Sequence, residues 1–441
     1  MASVKKASKN KGKQPKTRPT STAAISQPVV DDASLQTSLS AFSDDGHLFA
    51  YLALTVDKHR LRVYNTASGQ SLADHTLDNA RVSHLSWGSF NFASEAQNAA
   101  AENDAQSPSK KKRKKRSSLA ATEHQSAIGT EVVILGLSDG SISFFSPSHA
   151  RVIRTLSHPS SSTPILTVAS AEGSNPSAVW SSSEDGTVRC WDLQKNDILD
   201  SWKTDDRIPY TSLAVRPSDE DDRTDLLVAH HKIRLLSRVI DPTNISSSKK
   251  PTQVASFTGH ASSITLTRWA DSQTPPERFA TMAQGDRFLY VWDIEGDSLD
   301  GKASASVPLD SDARTFSISR SRTSTLATLS ASGKVSIYPI PQELTPPANT
   351  SRVSHNLATL LPRSTITTSS KNSASSAPLV NITFSSTDSA SITVARLVKG
   401  VRPLFHSIKF MDDSGNYIPD IKLEDIDLSA VKSDAPVRIV S

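Results

Sequence analysis

The sequence predicts an all-β propeller, a ring of short four-stranded sheets in which each sheet is one blade. Two observations predict this fold class. Polar and apolar residues alternate with period two in segment after segment, whereas helical periodicity is hard to find, and such alternation is the pattern of half-buried strands. The segments also recur at about 40 to 45 residues once insertions are set aside, which is the length of a propeller blade.

Six windows of seven residues carry the alternation most clearly. In every window the residues one and three positions before the end are apolar, and these two positions share one face of a strand. An Asp-Gly or similar turn opens most windows, which indicates a tight hairpin with the strand-like run before it. The windows are KHRLRVY (58–64), DGSISFF (139–145), DGTVRCW (185–191), HHKIRLL (230–236), DRFLYVW (286–292) and SGKVSIY (332–338).

The spacing of the windows predicts seven blades. Their last residues lie 81, 46, 45, 56 and 46 residues apart, and the first spacing contains an insertion at 89–128. A seventh unit follows in the runs PLVNITFSS, SITVARLV and LFHSIKFMD. Residues 40–412, without this insertion and a second one at 341–376, then supply about 42 residues for each blade.

The predicted domain organisation has three parts. Residues 1–35 form a basic tail rich in Lys, Ser, Thr and Pro, a composition that favours disorder. The propeller spans residues 36–412 and includes the two low-complexity insertions, 89–128 and 341–376. Residues 413–441 form a polar C-terminal tail.

Charge is divided unevenly along the chain. The net charge is +4, yet the first 18 residues hold seven basic side chains and no acidic one, and a run in the first insertion holds seven more. The rest of the chain has 35 basic and 45 acidic residues, so the body is acidic and is a poor candidate for a broad nucleic-acid surface. The basic run consists of Lys110, Lys111, Lys112, Arg113, Lys114, Lys115 and Arg116.

Three interpretations of this basic run stay open. Seven clustered charges must lie in solvent, so the run could simply be a solvated loop. It also matches a nuclear-import signal. In the third interpretation it contacts RNA phosphates, where each neutralised phosphate releases a counterion. No aromatic residue lies within the run, so base stacking is not supported.

Composition and motifs exclude several classes of protein. The single cysteine, Cys190, excludes a disulfide framework and a zinc site of several thiolates, and it fits a reducing compartment. The N-terminal residues lack the apolar core of a secretory signal. The longest apolar-rich stretch, Leu48 to Val56, has nine residues, whereas a membrane-spanning helix needs about 20.

No constellation predicts catalysis, a cofactor or a metal site. Gly136 to Gly140 matches the G-x-S-x-G elbow around Ser138, but that motif needs a strand, a turn and a helix. Here the segment aligns with the turn SSEDG at 182–186. His230 and His231 occupy a hairpin turn without ligand partners at suitable spacing, and no P-loop, G-x-G-x-x-G or H-E-x-x-H occurs. We therefore expect a protein that is not an enzyme.

Partial WD40 signatures occur in two of the windows. Trp191-Asp192 and Trp292-Asp293 are WD pairs, and Gly259-His260 lies 33 residues before Trp292. In such blades a buried His, a strand Ser or Thr, a turn Asp and the Trp can satisfy each other's hydrogen bonds. We expect structural roles for two such sets: His260, Thr281, Asp286 and Trp292, and His158, Ser182 or Ser183, Asp185 and Trp191.

These stretches make the chain resemble the WD40 subunits of the nucleolar small-subunit processome, which is associated with the U3 small nucleolar RNA. More narrowly, it resembles the member of the early-binding subcomplex linked to pre-rRNA transcription. The basic insertion inside the second blade carries most of the resemblance. The matching stretches are FSDDGHLFAYLAL with LRVYNTASGQ (42–70), HLSWG (84–88), SSSEDGTVRCWDLQKNDILDSWK (181–203), HKIRLL, SFTGHASSITLTRW (256–269) and DRFLYVWDIEGD.

The resemblance implies a non-catalytic scaffold that helps to assemble the pre-18S rRNA processing machinery in the nucleolus. Its implied partners are other WD40 subunits, with contact to pre-rRNA or U3 RNA through the basic segments, and neither a membrane nor a small-molecule substrate. Members of that family carry a helical assembly domain after the propeller, and here only a short tail follows. A WD40 adaptor of another nuclear complex, in chromatin or ubiquitin-ligase assembly, is the alternative.

Overall fold

The computed structural model describes residues 39–423, with interruptions at 55–57, 78–79, 91–129, 159–161, 171–177, 194–195, 204–207, 218–222, 240–251, 271–276, 295–299, 302, 311, 320–324, 345–356, 369–378 and 398–401. Every regular element in these residues is a β-strand, and the strands form seven sheets in a ring. The predicted seven-bladed propeller is confirmed. In this part of the chain no helix is long and apolar enough to cross a membrane.

Blades 1 to 3 each contain four antiparallel strands in chain order. Blade 1 contains β1 (Ser40–Phe42), β2 (Leu48–Leu54), β3 (His59–Asn65) and β4 (Ser71–Leu77). Blade 2 contains β5 (Val82–Phe90), β6 (Thr130–Leu137), β7 (Ile142–Ser146) and β8 (Arg151–Leu156). Blade 3 contains β9 (Ile165–Ser170), β10 (Ala178–Ser183), β11 (Thr187–Asp192) and β12 (Asp197–Lys203).

Blades 4 to 6 follow the same plan and add a fifth, parallel strand at the outer edge. Blade 4 contains β13 (Ser212–Pro217), β14 (Arg223–Ala229), β15 (Ile233–Val239) and β16 (Thr252–Phe257), and β20 (Asp300–Gly301) pairs with β16. Blade 5 contains β17 (Ile264–Ala270), β18 (Glu277–Ala283), β19 (Phe288–Ile294) and β21 (Ala303–Pro308), and β25 (Ala358–Thr359) pairs with β21. Blade 6 contains β22 (Ala313–Ile318), β23 (Thr325–Ser330), β24 (Val335–Pro339) and β26 (Ser364–Thr368), and β30 (Asp420–Leu423) pairs with β26.

Blade 7 has three described strands, β27 (Leu379–Phe384), β28 (Ser391–Arg396) and β29 (Leu404–Lys409). Packing joins this blade to blade 1 and closes the ring. Phe49 of blade 1 packs in one buried cluster with Val380 of blade 7. The side-chain amide of Asn381 donates a hydrogen bond to the carbonyl oxygen of Ser40 at 2.8 Å.

The six sequence windows form the third strand of blades 1 to 6. The positions one and three residues before each window's end face the core, as the alternation predicted, and none is more than 3% exposed. The turns that open the windows contain glycines with φ values of +84° at Gly140 and +77° at Gly186, a backbone conformation that other residues adopt only with strain. The twelve core residues are Leu61, Val63, Ile142, Phe144, Val188, Cys190, Ile233, Leu235, Leu289, Val291, Val335 and Ile337.

A β-bulge recurs at the same place in blades 1 to 5. The pairing between the third and fourth strands shifts immediately before the last residue of the window. The extra residue belongs to the fourth strand in each case, and a bulge bends the strand that carries it. The outermost strand therefore bends at a common level around these five blades. The extra residues are Leu72, Ile153, Leu199, Val254 and Ser304.

Part of the predicted insertion at 341–376 is wrong, because β25 and β26 lie within it and β26 is the fourth strand of blade 6. The sequence of β26, STITT, resembles a low-complexity segment because Ile366 is its one large apolar residue. The side chain of Ile366 is fully buried. The predicted tail at 413–441 likewise contains β30. Residues 1–35 and 91–128 lie outside the described residues.

Candidate functional site

The hydrogen-bonded set that the sequence proposed for blade 5 joins strands β18 and β19 to the segment before β17 and to the turn between β18 and β19. Trp292 Nε1–H donates to Thr281 Oγ1 at 2.8 Å, and Thr281 Oγ1 lies 2.7 Å from His260 Nε2. His260 Nδ1 lies 2.7 Å from Asp286 Oδ2. Ser262 donates its hydroxyl proton to the other oxygen of Asp286 at 2.8 Å. The four predicted residues therefore form one continuous chain of hydrogen bonds.

One arrangement of protons satisfies every group in this chain. The indole donates to the Thr281 hydroxyl, the hydroxyl donates to His260 Nε2, and His260 Nδ1–H donates to the Asp286 carboxylate. Burial lowers the pKa of His260 more than Asp286 raises it, so the imidazole is neutral near pH 7. Burial raises the pKa of Asp286, but hydrogen bonds from His260 and Ser262 outweigh it and keep this carboxyl ionised.

The corresponding set in blade 3 differs from the prediction. Trp191 Nε1–H donates to Ser181 Oγ at 2.9 Å, so the acceptor is neither Ser182 nor Ser183. The register explains this, because Trp191 pairs with Val179 and Ser181 lies two residues further along β10 on the same face. In blade 5, Thr281 stands two residues after the partner of Trp292 in the same way.

Asp185 and His158 are also placed differently from the predicted set. Asp185 accepts hydrogen bonds from the backbone N–H of Thr187 at 3.0 Å and from its hydroxyl at 2.8 Å. Burial raises the pKa of Asp185, but Thr187, Lys203 and Arg189 together lower it below its usual value. His158 is not among these groups and lies half-buried just after β8. Asp185 therefore stabilises the turn before β11.

Of the aspartates in the two WD pairs, Asp192 is buried and Asp293 is partly buried. Asp293 accepts a hydrogen bond from Arg278 Nε at 2.6 Å, and Arg278 itself is only 4% exposed. The same guanidinium donates to the carbonyl oxygens of Pro341 at 2.5 Å and Gln342 at 2.6 Å. Asp293 thus orients Arg278, whose hydrogen bonds connect the segment after β24 to blade 5. Asp192, its counterpart in blade 3, is 8% exposed.

The other motifs that could suggest catalysis or metal binding occupy turns. Ser138 lies in the turn between β6 and β7, and its hydroxyl accepts a hydrogen bond from the backbone N–H of Arg81 at 3.2 Å. His230 and His231 lie in the turn before β15, with ring centroids 4.2 Å apart. Burial and the neighbouring His231 lower the pKa of His230. No group of three metal-ligating side chains occurs within the described residues.

The basic run from Lys110 to Arg116 lies outside the described residues, but the structure describes where its insertion begins and ends. Phe90 at the end of β5 pairs with Thr130 at the start of β6. The chain therefore leaves blade 2 and returns to it at neighbouring positions. The insertion can project from the propeller without altering the strand order of that blade.

An acidic group next to this position was not identified from the sequence. Glu131 is half-buried at the start of β6. Burial, together with the charges of Asp45 and Asp44, raises its pKa to about 7. Only the fold brings these carboxyls together, because Asp44 and Asp45 lie in the first turn of blade 1. The structure therefore places three carboxyls beside the position at which the insertion returns to blade 2.

Seven blades in a ring, with a Trp–Thr–His–Asp set pinning one of them, define a WD40-like β-propeller. A chain in the solved structure titled "Crystal Structure of Mitotic Checkpoint Complex" is similar to this one, with a TM-score of 0.52 and 14% sequence identity over 93% of this chain and 99% of that chain. At this identity the likeness shows the fold alone. No family model and no curated protein matches the chain.

Proposed function

We propose that this protein is a non-catalytic scaffold subunit of a nucleolar assembly that processes pre-18S rRNA, the small-subunit processome. The observation that carries the proposal is the basic run in blade 2. Seven consecutive positive charges stand in a segment that leaves and returns at the paired residues Phe90 and Thr130. The propeller thus carries a concentrated positive charge on a rigid support, suited to salt-dependent contact with RNA phosphates or to nuclear import.

Three further features support a scaffold. Outside the N-terminal cluster and the basic run the chain holds 35 basic and 45 acidic residues, so proteins more than RNA are expected to meet the propeller surface. The polar groups that could suggest catalysis form hydrogen bonds that stabilise the blade, as His260 and Asp286 do. The similar chain comes from a structure whose title names a complex, which agrees with protein partners.

Depletion of the protein tests the proposal directly. We expect mature 18S rRNA to fall while the large-subunit rRNAs are comparatively spared, measured by pulse labelling of rRNA. Normal 18S rRNA processing after depletion would contradict the proposed role in the small-subunit processome. Re-expression of the intact chain is the control, because it should restore processing.

Affinity purification separates this proposal from its alternative, an adaptor of another nuclear complex. We expect the tagged chain to recover other propeller subunits and U3 RNA in moderate salt. Contacts made only through the basic run should weaken as salt rises, because phosphate contacts release counterions. Recovery of chromatin or ubiquitin-ligase subunits without U3 RNA would favour the adaptor.

A further inference from the structure

Two large apolar side chains are exposed on either side of blade 4. Ile208 is 42% exposed just before the first strand of this blade, and Phe288 is 39% exposed at the start of the third strand of blade 5. Both lie at the end of the blades that carries the turns opening the windows. Phe288 belongs to the start of a window, and close to Ile208 the N–H of Thr211 donates to the carbonyl oxygen of Ala229 at 2.9 Å, just before the blade 4 window. One exposed apolar side chain is ordinary, but two that flank one blade indicate a contact surface.

The turn between β14 and β15 of blade 4 lies between these two side chains. On one side, the hydroxyl of Tyr210, two residues after Ile208, accepts a hydrogen bond from Arg234 of β15 at 3.3 Å. On the other side, Phe288 shares a strand face with Trp292, which packs in one buried cluster with residues of blade 4. The end of blade 4 is therefore bordered by an exposed apolar side chain on each side.

The exposed charges at this place are positive. Lys232 is exposed in the turn between β14 and β15, and Arg287 is exposed next to Phe288. Among the described residues of the turns that open the blade 4 and blade 5 windows, Asp286 is the one carboxylate. Its side chain is only 14% exposed and is held by His260 and Ser262. Two cations therefore stand between the exposed apolar groups, while the carboxylate is directed into blade 5.

We propose that this surface, the blade 4 patch formed by Ile208, Lys232, Arg287 and Phe288, binds an acidic segment of a partner protein whose apolar side chains cover Ile208 and Phe288. Charge complementarity selects an acidic partner, because its carboxylates pair with the exposed cations. RNA fits less well, since two cations make few phosphate contacts and Ile208 offers no ring for base stacking. The blade 4 patch does not depend on the nucleolar role, so each proposal can fail without the other.

A library of random peptides displayed on phage, panned against the full-length protein, tests the composition of the partner. We expect a group of enriched peptides that combine Asp or Glu with Leu, Ile or Phe, and we expect this group to be lost with a Lys232→Glu/Phe288→Ala variant. The matched control is Lys422→Glu/Leu361→Ala, which changes an exposed lysine of β30 and a leucine that is 69% exposed between β25 and β26. The control should enrich the same peptides as the wild type.

Fluorescence anisotropy with an enriched peptide measures each contribution separately. We expect Phe288→Ala to weaken binding by roughly tenfold or more, as truncation of an interface anchor does. Lys232→Glu should weaken binding and reduce its dependence on salt, because an exposed charge pair is screened by ions. Leu361→Ala and Lys422→Glu should leave the affinity unchanged. If Phe288→Ala lowers the melting temperature, Lys232→Glu decides the matter, since this side chain is exposed.

Three results would overturn the proposal. The first is that no enriched peptide depends on the blade 4 patch. The second is that the peptides that depend on it lack acidic residues. The third is that an oligouridine RNA, measured in the same way, binds more tightly than the enriched peptide and loses affinity in the Lys232→Glu variant, which would assign the blade 4 patch to RNA.

Discussion

At the scale of single residues, the Thr281 hydroxyl is the centre of the set in blade 5. It accepts the Trp292 indole proton at 2.8 Å and meets His260 Nε2 at 2.7 Å. Thr281 and Trp292 are both fully buried, so neither the indole nor the imidazole can turn to water. A buried donor or acceptor left alone costs about 1–3 kcal/mol. The hydroxyl thus connects β18 to β19 and to the segment that precedes β17.

Replacing Thr281 by Val keeps the shape of the side chain and removes the hydroxyl. We expect the free energy of unfolding to fall by about 3 kcal/mol, because two buried polar groups lose their partner. Urea titration measures the change. Thr281→Ser is the matched control and should lose much less, since it retains the oxygen. A Val variant as stable as the wild type, or no less stable than the Ser variant, would contradict this role of the hydroxyl.

Glu131, also at the scale of single residues, makes the stability of the protein depend on pH. Its pKa rises from 4.5 to about 7 because of burial and the charges of Asp45 and Asp44. Between these two values the folded protein binds more protons than the unfolded chain. The contribution of Glu131 is therefore fully present below about pH 4.5 and is lost as the pH rises through 7.

A Glu131→Gln variant removes this titration. At pH 8 we expect the variant to be more stable than the wild type by about 1 kcal/mol, a value reduced because solvent screens a half-exposed group. At pH 5 we expect the two proteins to have nearly equal stability. Thermal unfolding at the two pH values measures the gap. Glu184→Gln, at an exposed turn position in blade 3, is the matched surface substitution. An equal gap at both pH values would contradict the assignment.

At the scale of elements, the extra outer strands connect neighbouring blades. β20 is reached from blade 5 but pairs with blade 4, and β25 is reached from blade 6 but pairs with blade 5. Each pairing ties two sheets with backbone hydrogen bonds. Gly301 in β20 lies so close to Phe257 that a Cβ atom at this position would overlap the aromatic ring. The glycine lets the two backbones approach.

The variant Gly301→Ala tests this contact. We expect a loss of about 1–3 kcal/mol in the free energy of unfolding, the usual cost of overpacking. Chemical denaturation measures it. Phe257→Leu makes room for the methyl group, so Gly301→Ala should cost clearly less in that background than in the wild type. The same cost in both backgrounds would place the strain somewhere other than the Phe257 ring.

At the scale of the whole molecule, the basic insertion and the propeller are expected to act independently. Replacing Lys110 to Arg116 by Ser should leave the melting temperature unchanged, because the insertion leaves and returns at the paired residues Phe90 and Thr130 and surface changes usually cost less than about 0.5 kcal/mol. Nucleolar accumulation should fall. Calorimetry and fluorescence microscopy measure the two effects.

The N-terminal basic cluster requires a control in that experiment. A variant with both basic segments replaced shows whether the N-terminal lysines substitute for the run. An unchanged nucleolar signal in the double variant would contradict the import interpretation. A lower melting temperature in the first variant would contradict the independence of insertion and propeller.

The alternation of side chains in the sequence was by itself enough to determine the core of each blade. Residues such as Val63 and Cys190 are fully buried because a strand has only two faces, and the apolar face must avoid water wherever the strand lies. Turn glycines such as Gly186 determined the hairpins for an equally local reason. The set of His260, Thr281, Asp286 and Trp292 could be proposed because Gly259-His260 and Trp292-Asp293 are partial WD40 signatures.

Only the tertiary structure decided the outer edges and the interblade contacts. β20, β25 and β30 have two to four residues, too few to show a period, and each pairs with a blade other than the one that its place in the chain order would give it. Ser181, and not Ser182 or Ser183, accepts the Trp191 hydrogen bond because of the register between β10 and β11. Arg278 pairs with Asp293 because β18 lies beside β19. Local pattern sets which side chain is buried, whereas the position of the neighbouring strand sets what that side chain meets.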